Sequence, residues 1–282
     1  MPYTAEINRT NPSCFLFMID QSGSMADPFG VGESNKRKAE GVTEAINNHL
    51  REIALKCART DGVRDYFYIG VIGYGAQVGS AFTGPLAGKE LVPISDVANL
   101  PARVEERVKF VEDGAGGLVD QKVRVPIWFD PIANGGTPMC QALSMGGRIL
   151  KKFISDHPAC FPPVVIHYTD GESTDGDPTV AMREIANLSS TDGNVLLFNC
   201  HVSSIRAEPI AFPHSHVGLP DQYARMLFNG ASELTPIMCE FAENEYGLNL
   251  LPGAKGFTFN ATLVLVIQAL NIGTRPSLAQ LR

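Results

Sequence analysis

The chain has 282 residues, of which 44% are hydrophobic, 19% charged and 8% aromatic. That is enough apolar surface to bury a sizeable core, and it excludes disordered and fibrous classes. The 23 basic and 30 acidic residues leave a formal charge of -7, the wrong sign for tracking a nucleic-acid backbone and the right one for holding a cation.

The opening stretch, MPYTAEINRTNPS, has no apolar run behind a basic region. The richest later run, ATLVLVIQAL from Ala261, falls short of the roughly 18–20 apolar residues that span a bilayer. A cytoplasmic protein with no membrane contact is expected. The first predicted strand is CFLFMI (Cys14 to Ile19), followed by Asp20, Ser22 and Ser24 at alternate positions of a loop. A helix is predicted from Ser34 to about Thr60, where Ala39, Val42, Ile46, Leu50, Ile53 and Cys57 form one apolar stripe and the Lys and Glu residues face water. A second strand, YFYIGVIGY, covers Tyr66 to Tyr74.

From about Gly84 to Asn134 the alternation of strand and helix breaks. VEERVKFVEDGAGGLVDQKVRVPIWF reads as two β-like segments joined by a Gly-rich turn at Asp113 to Gly117, too short for a core of its own. We take it as an insertion in a single domain that spans 1–282 with its core at about 13–273. Trp128 is expected to pack this insertion against that core. The insertion ends just before Thr137, in NGGTP, and a helix starts at Pro138 with Ala142, Leu143, Met145, Ile149, Leu150 and Phe153 on one stripe.

PVVIHYT (Pro163 to Thr169) and NVLLFNCHV (Asn194 to Val202) complete the predicted strands, with a helix between them capped by Asp177 ahead of Pro178. Asn260 is expected to cap a last helix that ends near Asn271 and Gly273. None of the strands alternates apolar with polar, as strands buried on both faces of a parallel sheet read. The fold class is therefore α/β, Rossmann-like, with a mainly parallel sheet and helices on both faces. The six cysteines, Cys14, Cys57, Cys140, Cys160, Cys200 and Cys239, show no CxxC spacing and read as reduced, largely buried thiols.

The chemistry concentrates at three loops. Asp20, Ser22 and Ser24 offer three hard oxygen donors that can converge on one small cation; capping of a local turn is the structural alternative. Thr137 adds a hydroxyl, or caps the helix that follows it. Asp170 in Thr169-Asp170-Gly171 adds a carboxylate, or forms a turn. All three loops leave the same predicted sheet edge, where open α/β sheets bind ligands. Glu172, Asp175 and Asp177 crowd further carboxylates beside Asp170, but their spacing departs from the EF-hand loop, and Asp177 already serves as a cap. His214 and His216 form an HxH without a third ligand nearby, and His167 and His201 fall on strands as satisfied core or sheet-end residues. Neither GxSxG nor GxxxxGK[ST] occurs.

The D-x-S-x-S segment, the isolated Thr137 and T-D-G, in this order and separation, resemble the metal-ion-dependent adhesion site of von Willebrand factor type A domains. Within that superfamily the chain looks most like stand-alone bacterial members, including those associated with tellurium resistance. The resemblance implies a metal held by Ser22, Ser24 and Thr137 through hydroxyls and by Asp20 and Asp170 directly or through water. With five hard donors, Mg²⁺ is the expected ion and Mn²⁺ an alternative. It further implies a non-enzymatic adaptor that binds the Asp or Glu of a partner protein, such as a kinase, phosphatase or AAA+ ATPase in a stress-response, tellurite-resistance or defence complex. Two other readings are a metal-assisted hydrolase with Glu172 as base and a regulatory subunit of an ATPase machine.

Overall fold

The computed structural model describes residues 3–30, 35–112, 118–204, 206–278 and 281. Its core is one eight-stranded sheet. Five strands run parallel at its centre: β1 (Ser13–Asp20), β2 (Phe67–Tyr74), β7 (Val164–Thr169) and β8 (Leu196–Val202) fall on the four predicted apolar runs, and β10 (Phe257–Ala261), with the sequence FTFNA, is not among them. Their order in space is β10-β8-β7-β1-β2. Short antiparallel strands edge the sheet: β3 (Val78–Ser80) and β4 (Val92–Pro93) pair with β2, and β9 (Ile210–Ala211) pairs with β10.

The pleat of β1 divides its side chains between two apolar layers. Phe15, Phe17 and Ile19 face one layer, which holds Val42, Ile46 and Leu50 of α1 (Lys38–Cys57), Ile94 and Val97 of α2 (Ile94–Asn99), Met238 of α6 (Pro236–Tyr246), and Val266 and Leu270 of α7 (Leu263–Leu278). Cys14, Leu16 and Met18 face the other, with Leu143 and Leu150 of α3 (Met139–Asp156), Ile185 of α4 (Thr179–Asn187) and Leu227 of α5 (Gln222–Gly230). Helices on both faces explain why the strands carry no polar side. None of the helices described is long and apolar enough to cross a membrane, and the six cysteines are all free.

The segment 84–134 divides into two parts. Leu86, Val92, Ile94, Val97, Trp128 and Phe129 are buried in the same layer as Phe15 and Phe17, so both ends of the segment belong to the core. Trp128 is 1% exposed, and its indole N–H donates to the Val97 carbonyl at 2.7 Å. Between those ends, β5 (Arg103–Glu112) and β6 (Leu118–Ile127) form a separate antiparallel ribbon. The Gly-rich turn predicted at 113–117 lies outside the described residues. The ribbon's root sits by Asn47, whose side chain accepts from the Trp128 N–H, and farther along it Arg107 pairs with Glu44 of α1 at 2.9 Å. It therefore climbs α1 toward that helix's N-terminus.

Three local expectations are corrected. Asn260 does not cap the last helix: it lies within β10 at a left-handed φ of 53°, and Thr262 caps α7 by accepting from the Leu265 N–H at 3.2 Å. That helix runs on to Leu278, past Gly273. Gly273 is an approach point, because a Cβ there would stand 3.1 Å from Ile166 Cδ1 on the sheet. Finally, not every lysine of α1 faces water, since Lys38 is 2% exposed.

Candidate metal centre

The order β7-β1-β2 means that the chain leaves β1 toward one side of the sheet and later returns to pair on the other. That makes the β1–β7 boundary the topological switch point, where a crevice opens between the loops. Ile19 pairs with Tyr168, so the next residues of the two strands, Asp20 and Thr169, stand side by side. The Thr169 hydroxyl donates to Asp20 Oδ2 at 2.8 Å, and the Ser22 N–H donates to Oδ1 at 2.8 Å. Asp20 is fully buried. Burial pushes its carboxyl up to about 6, against the hydrogen bonds from Ser22 and Thr169 and with the help of the Asp170 charge.

Asp170, one residue past β7, completes the group. The Ser24 hydroxyl donates to its Oδ1 at 2.8 Å, the Ser22 hydroxyl lies 3.4 Å from the same oxygen, and the two serine hydroxyls are 3.1 Å apart. Its other oxygen, Oδ2, makes no directed hydrogen bond but meets the Lys38 ammonium at 2.6 Å. Both side chains of that ion pair are sealed from water, at 3% and 0% exposure.

Thr137 arrives on the loop before α3. Its N–H donates to the Thr174 hydroxyl at 3.0 Å, and its carbonyl accepts from the Thr174 N–H at 2.9 Å, which ties it to the loop that carries Asp170. A Cβ on Gly171 would lie 3.7 Å from its Oγ1. Thr137 makes no side-chain cap of α3. Asp175 does so from across the site, accepting from the N–H groups of Cys140 and Gln141 at 2.9 Å each. Asp177 accepts from the Thr179 N–H at 2.9 Å, as a cap of α4 should. Helix ends thus occupy the two carboxylates considered for a second ion.

Backbone contacts fix the loops to one another. The Asn134 N–H donates to the Gln21 carbonyl at 2.6 Å, Ala76 to Asn134 at 2.9 Å, and Gly23 to Gly135 at 3.0 Å. Only glycine permits this approach: a Cβ on Gly75 would sit 2.6 Å from the Asn134 and Gln21 oxygens, and Gly135 has a φ of +89° with Ala76 N 2.4 Å from where its Cβ would be. Tyr223 of α5 donates its hydroxyl to the Gly171 carbonyl and closes the loop from the far side.

The other singled-out residues lie apart or serve the fold. His167 is buried between Tyr74 (2.5 Å) and Asn199 (3.0 Å). His201 stacks on Phe259 and accepts from the Asn260 N–H at 3.2 Å. Glu172 is exposed on the wall of an open cavity of about 580 Å³ that also includes Tyr223 and Met226. His216 lies edge-on to Phe228. Among the described residues no three His, Cys, Asp or Glu side chains gather into a metal set. The group at the switch point has two carboxylates and three hydroxyls, and this all-oxygen chemistry fits a hard divalent cation and disfavours zinc. Reading the sequence missed Lys38 and Tyr223. No local pattern marks either one, since each reaches the site from a helix that tertiary packing places there.

No protein-family model matches this chain, and no curated protein matches it either. Solved structures similar to it include three N-terminal domains of the type V pili tip protein Mfa5 from Porphyromonas gingivalis and the vWF domain of the same protein. Each alignment covers 58% of this chain at 15% identity with a TM-score of 0.31, and takes in 20% and 39% of those chains respectively. This chain therefore spans well under half the length of either.

Proposed function

We propose that this chain is a protein-interaction module whose binding depends on one divalent cation, Mg²⁺ or Mn²⁺, held by Asp20, Ser22, Ser24, Thr137 and Asp170. The observation that carries this reading is the meeting of Ser22 and Ser24 with Asp170, within 3.4 Å, beside the buried Asp20 at the switch point. When bound, the cation supplies an electrophilic centre for an external carboxylate. The chain's own residues hold that centre in place: Thr169 and the Ser22 N–H orient Asp20, and Thr174 fixes the Thr137 backbone. The partner is a protein that presents Asp or Glu, and adaptors of the resembled family set a kinase, a phosphatase or an AAA+ ATPase as the classes to try first.

Binding, rather than turnover, is the output. Glu172, the acid–base candidate, is exposed, and the histidines at positions 167 and 201 are held by Tyr74, Asn199 and the Asn260 N–H. Calorimetric titration with Mg²⁺ and Mn²⁺, followed by capture of partners with and without EDTA, tests the reading. One bound ion and EDTA-sensitive capture are expected. Absence of metal binding, or metal-dependent phosphatase, esterase or nucleotidase turnover, overturns it.

A further inference from the structure

Lys38 is an unusual occupant of its position. It is the first residue of α1, where a cation opposes the helix dipole and carboxylates are favoured. It is buried there against one oxygen of Asp170, and burying an ammonium costs several kcal/mol unless a counter-charge offsets it. The Asp170 carboxylate is consequently two-faced: Oδ1 turns to the Ser22 and Ser24 hydroxyls, while Oδ2 turns to the ammonium at 2.6 Å. Lys38 therefore leaves Oδ1 to the hydroxyls and neutralises the carboxylate's charge through its other oxygen.

We propose that Lys38 is a built-in counter-cation that sets the charge of the metal site, weakening its hold on the ion and making the loaded site selective for a singly charged carboxylate. This rests on the metal-binding reading above. With Asp20 and Asp170 alone, a divalent ion would bring the site to neutrality and leave no net attraction for an anion. With Lys38 included, the loaded site carries one net positive charge, which one Asp or Glu side chain cancels. Ser24 is exposed and the other four donor side chains are buried, so the site meets water on the Ser24 side alone; charge matching then governs what can enter, because an unmatched charge among buried groups is only weakly screened.

The test compares the full chain with Lys38→Met, which removes the charge; Lys38→Gln, which keeps an N–H donor for Oδ2; and Lys38→Arg, which keeps the charge. Calorimetry with Mn²⁺ alone is expected to give at least tenfold tighter binding in Lys38→Met and Lys38→Gln, with Lys38→Arg within about threefold of the parent. Acetate titrated onto the Mn²⁺-loaded proteins should bind at least fivefold more weakly to the two neutral variants. Should Lys38→Met fail to fold without metal, Lys38→Gln carries the comparison. Mn²⁺ affinity in both neutral variants equal to or below that of the parent overturns the role of Lys38 and leaves the metal site standing. No Mn²⁺ binding to the parent or to any variant overturns both.

Discussion

The carboxylate of Asp175 caps a helix that begins well before it in the chain, receiving the N–H of Cys140 at 2.9 Å. Its second oxygen receives Gln141, and the Ser173 hydroxyl donates to the first. Burial alone would raise this carboxyl, but the two N–H groups, together with the Ser173 hydroxyl and the Cys140 thiol, more than offset it and hold it below the usual range. Two elements that meet at the site, the Asp170 loop and α3, are thereby joined by a charged cap. Asp175→Ala should destabilise the protein by about 1–2 kcal/mol, the usual loss for a cap. Thermal melts followed by circular dichroism check this, and an unchanged Tm would show that the cap contributes nothing.

Asp20→Asn separates the site's ionic role from its structural one. The amide matches the carboxylate in shape, keeps an acceptor for the Ser22 N–H and removes a buried charge. Because the Asp20 pKa is raised in the fold to about 6, the carboxylate's contribution to stability is present at low pH and lost as pH rises through 6. Metal-free Asp20→Asn should thus match the parent only below about pH 4, the unfolded carboxyl's range, gain on it as pH rises through 5 and 6, and be more stable at pH 8 by up to about 3 kcal/mol for a shift of this size. The same variant should bind no Mn²⁺ in calorimetry. Unchanged metal affinity would remove Asp20 from the ligand set.

Two buried histidines act in the opposite direction. His49 lies 2.6 Å from the Thr274 hydroxyl, which itself donates to the Leu270 carbonyl, so the ring N–H is the donor. Burial, with the nearby charges of Arg275 and Lys56, lowers its pKa to about 3. His167 is lowered to about 4 by burial, against its bond to Asn199. Both are depressed below the unfolded value, so the stability they contribute is whole above about pH 6.5 and is lost as pH falls toward 4, at up to about 1.4 kcal/mol per pH unit for each. Urea midpoints measured from pH 7 to pH 4.5 should fall steeply in the parent and less steeply in His49→Gln.

Among the described residues the ribbon of β5 and β6 pairs only with itself along its length, and it meets α1 through the half-exposed Arg107–Glu44 pair, a contact of the kind worth about 0–1 kcal/mol. Glu105 and Val125 face each other across it, so an Asn-Gly turn can join them in place of residues 106–124. The shortened protein should melt within a few degrees of the parent and keep its Mn²⁺ affinity. Partner capture is the property expected to change, since the ribbon climbs toward the end of α1 that carries Lys38. Collapse of the fold would instead make the ribbon part of the core.

The legible parts of this protein are those in which local pattern and tertiary role coincide. β1, β2, β7 and β8 are mostly apolar and do not alternate apolar with polar because both their faces are covered, and that condition can be read without knowing what covers them. Asp20, Ser22, Ser24 and Asp170 were identifiable because strand ends deliver them to one edge. Where a residue's partner lies far along the chain, local reading assigned the wrong job. For Thr137 the sequence offered capping of α3 as the alternative to metal binding, and the cap is supplied instead by Asp175 from another loop. Lys38 fell at the border of a helix stripe with nothing to show that a buried carboxylate awaited it. Gly273 looked like a helix end, but its missing side chain serves the fit of α7 against Ile166.

The glycine contacts at Gly75 and Gly135 have a thermodynamic consequence. Backbone touches backbone there, with no side chain between, and the 21–23, 75–76 and 134–135 stretches hydrogen-bond to one another. Their chain entropy is consequently surrendered when the protein folds, and none of it is left to be lost when something binds beside them. Association at this edge should therefore leave the heat-capacity change small and the loop amides as slow to exchange as before, the behaviour of a rigid receptor and not of a segment that orders around its guest.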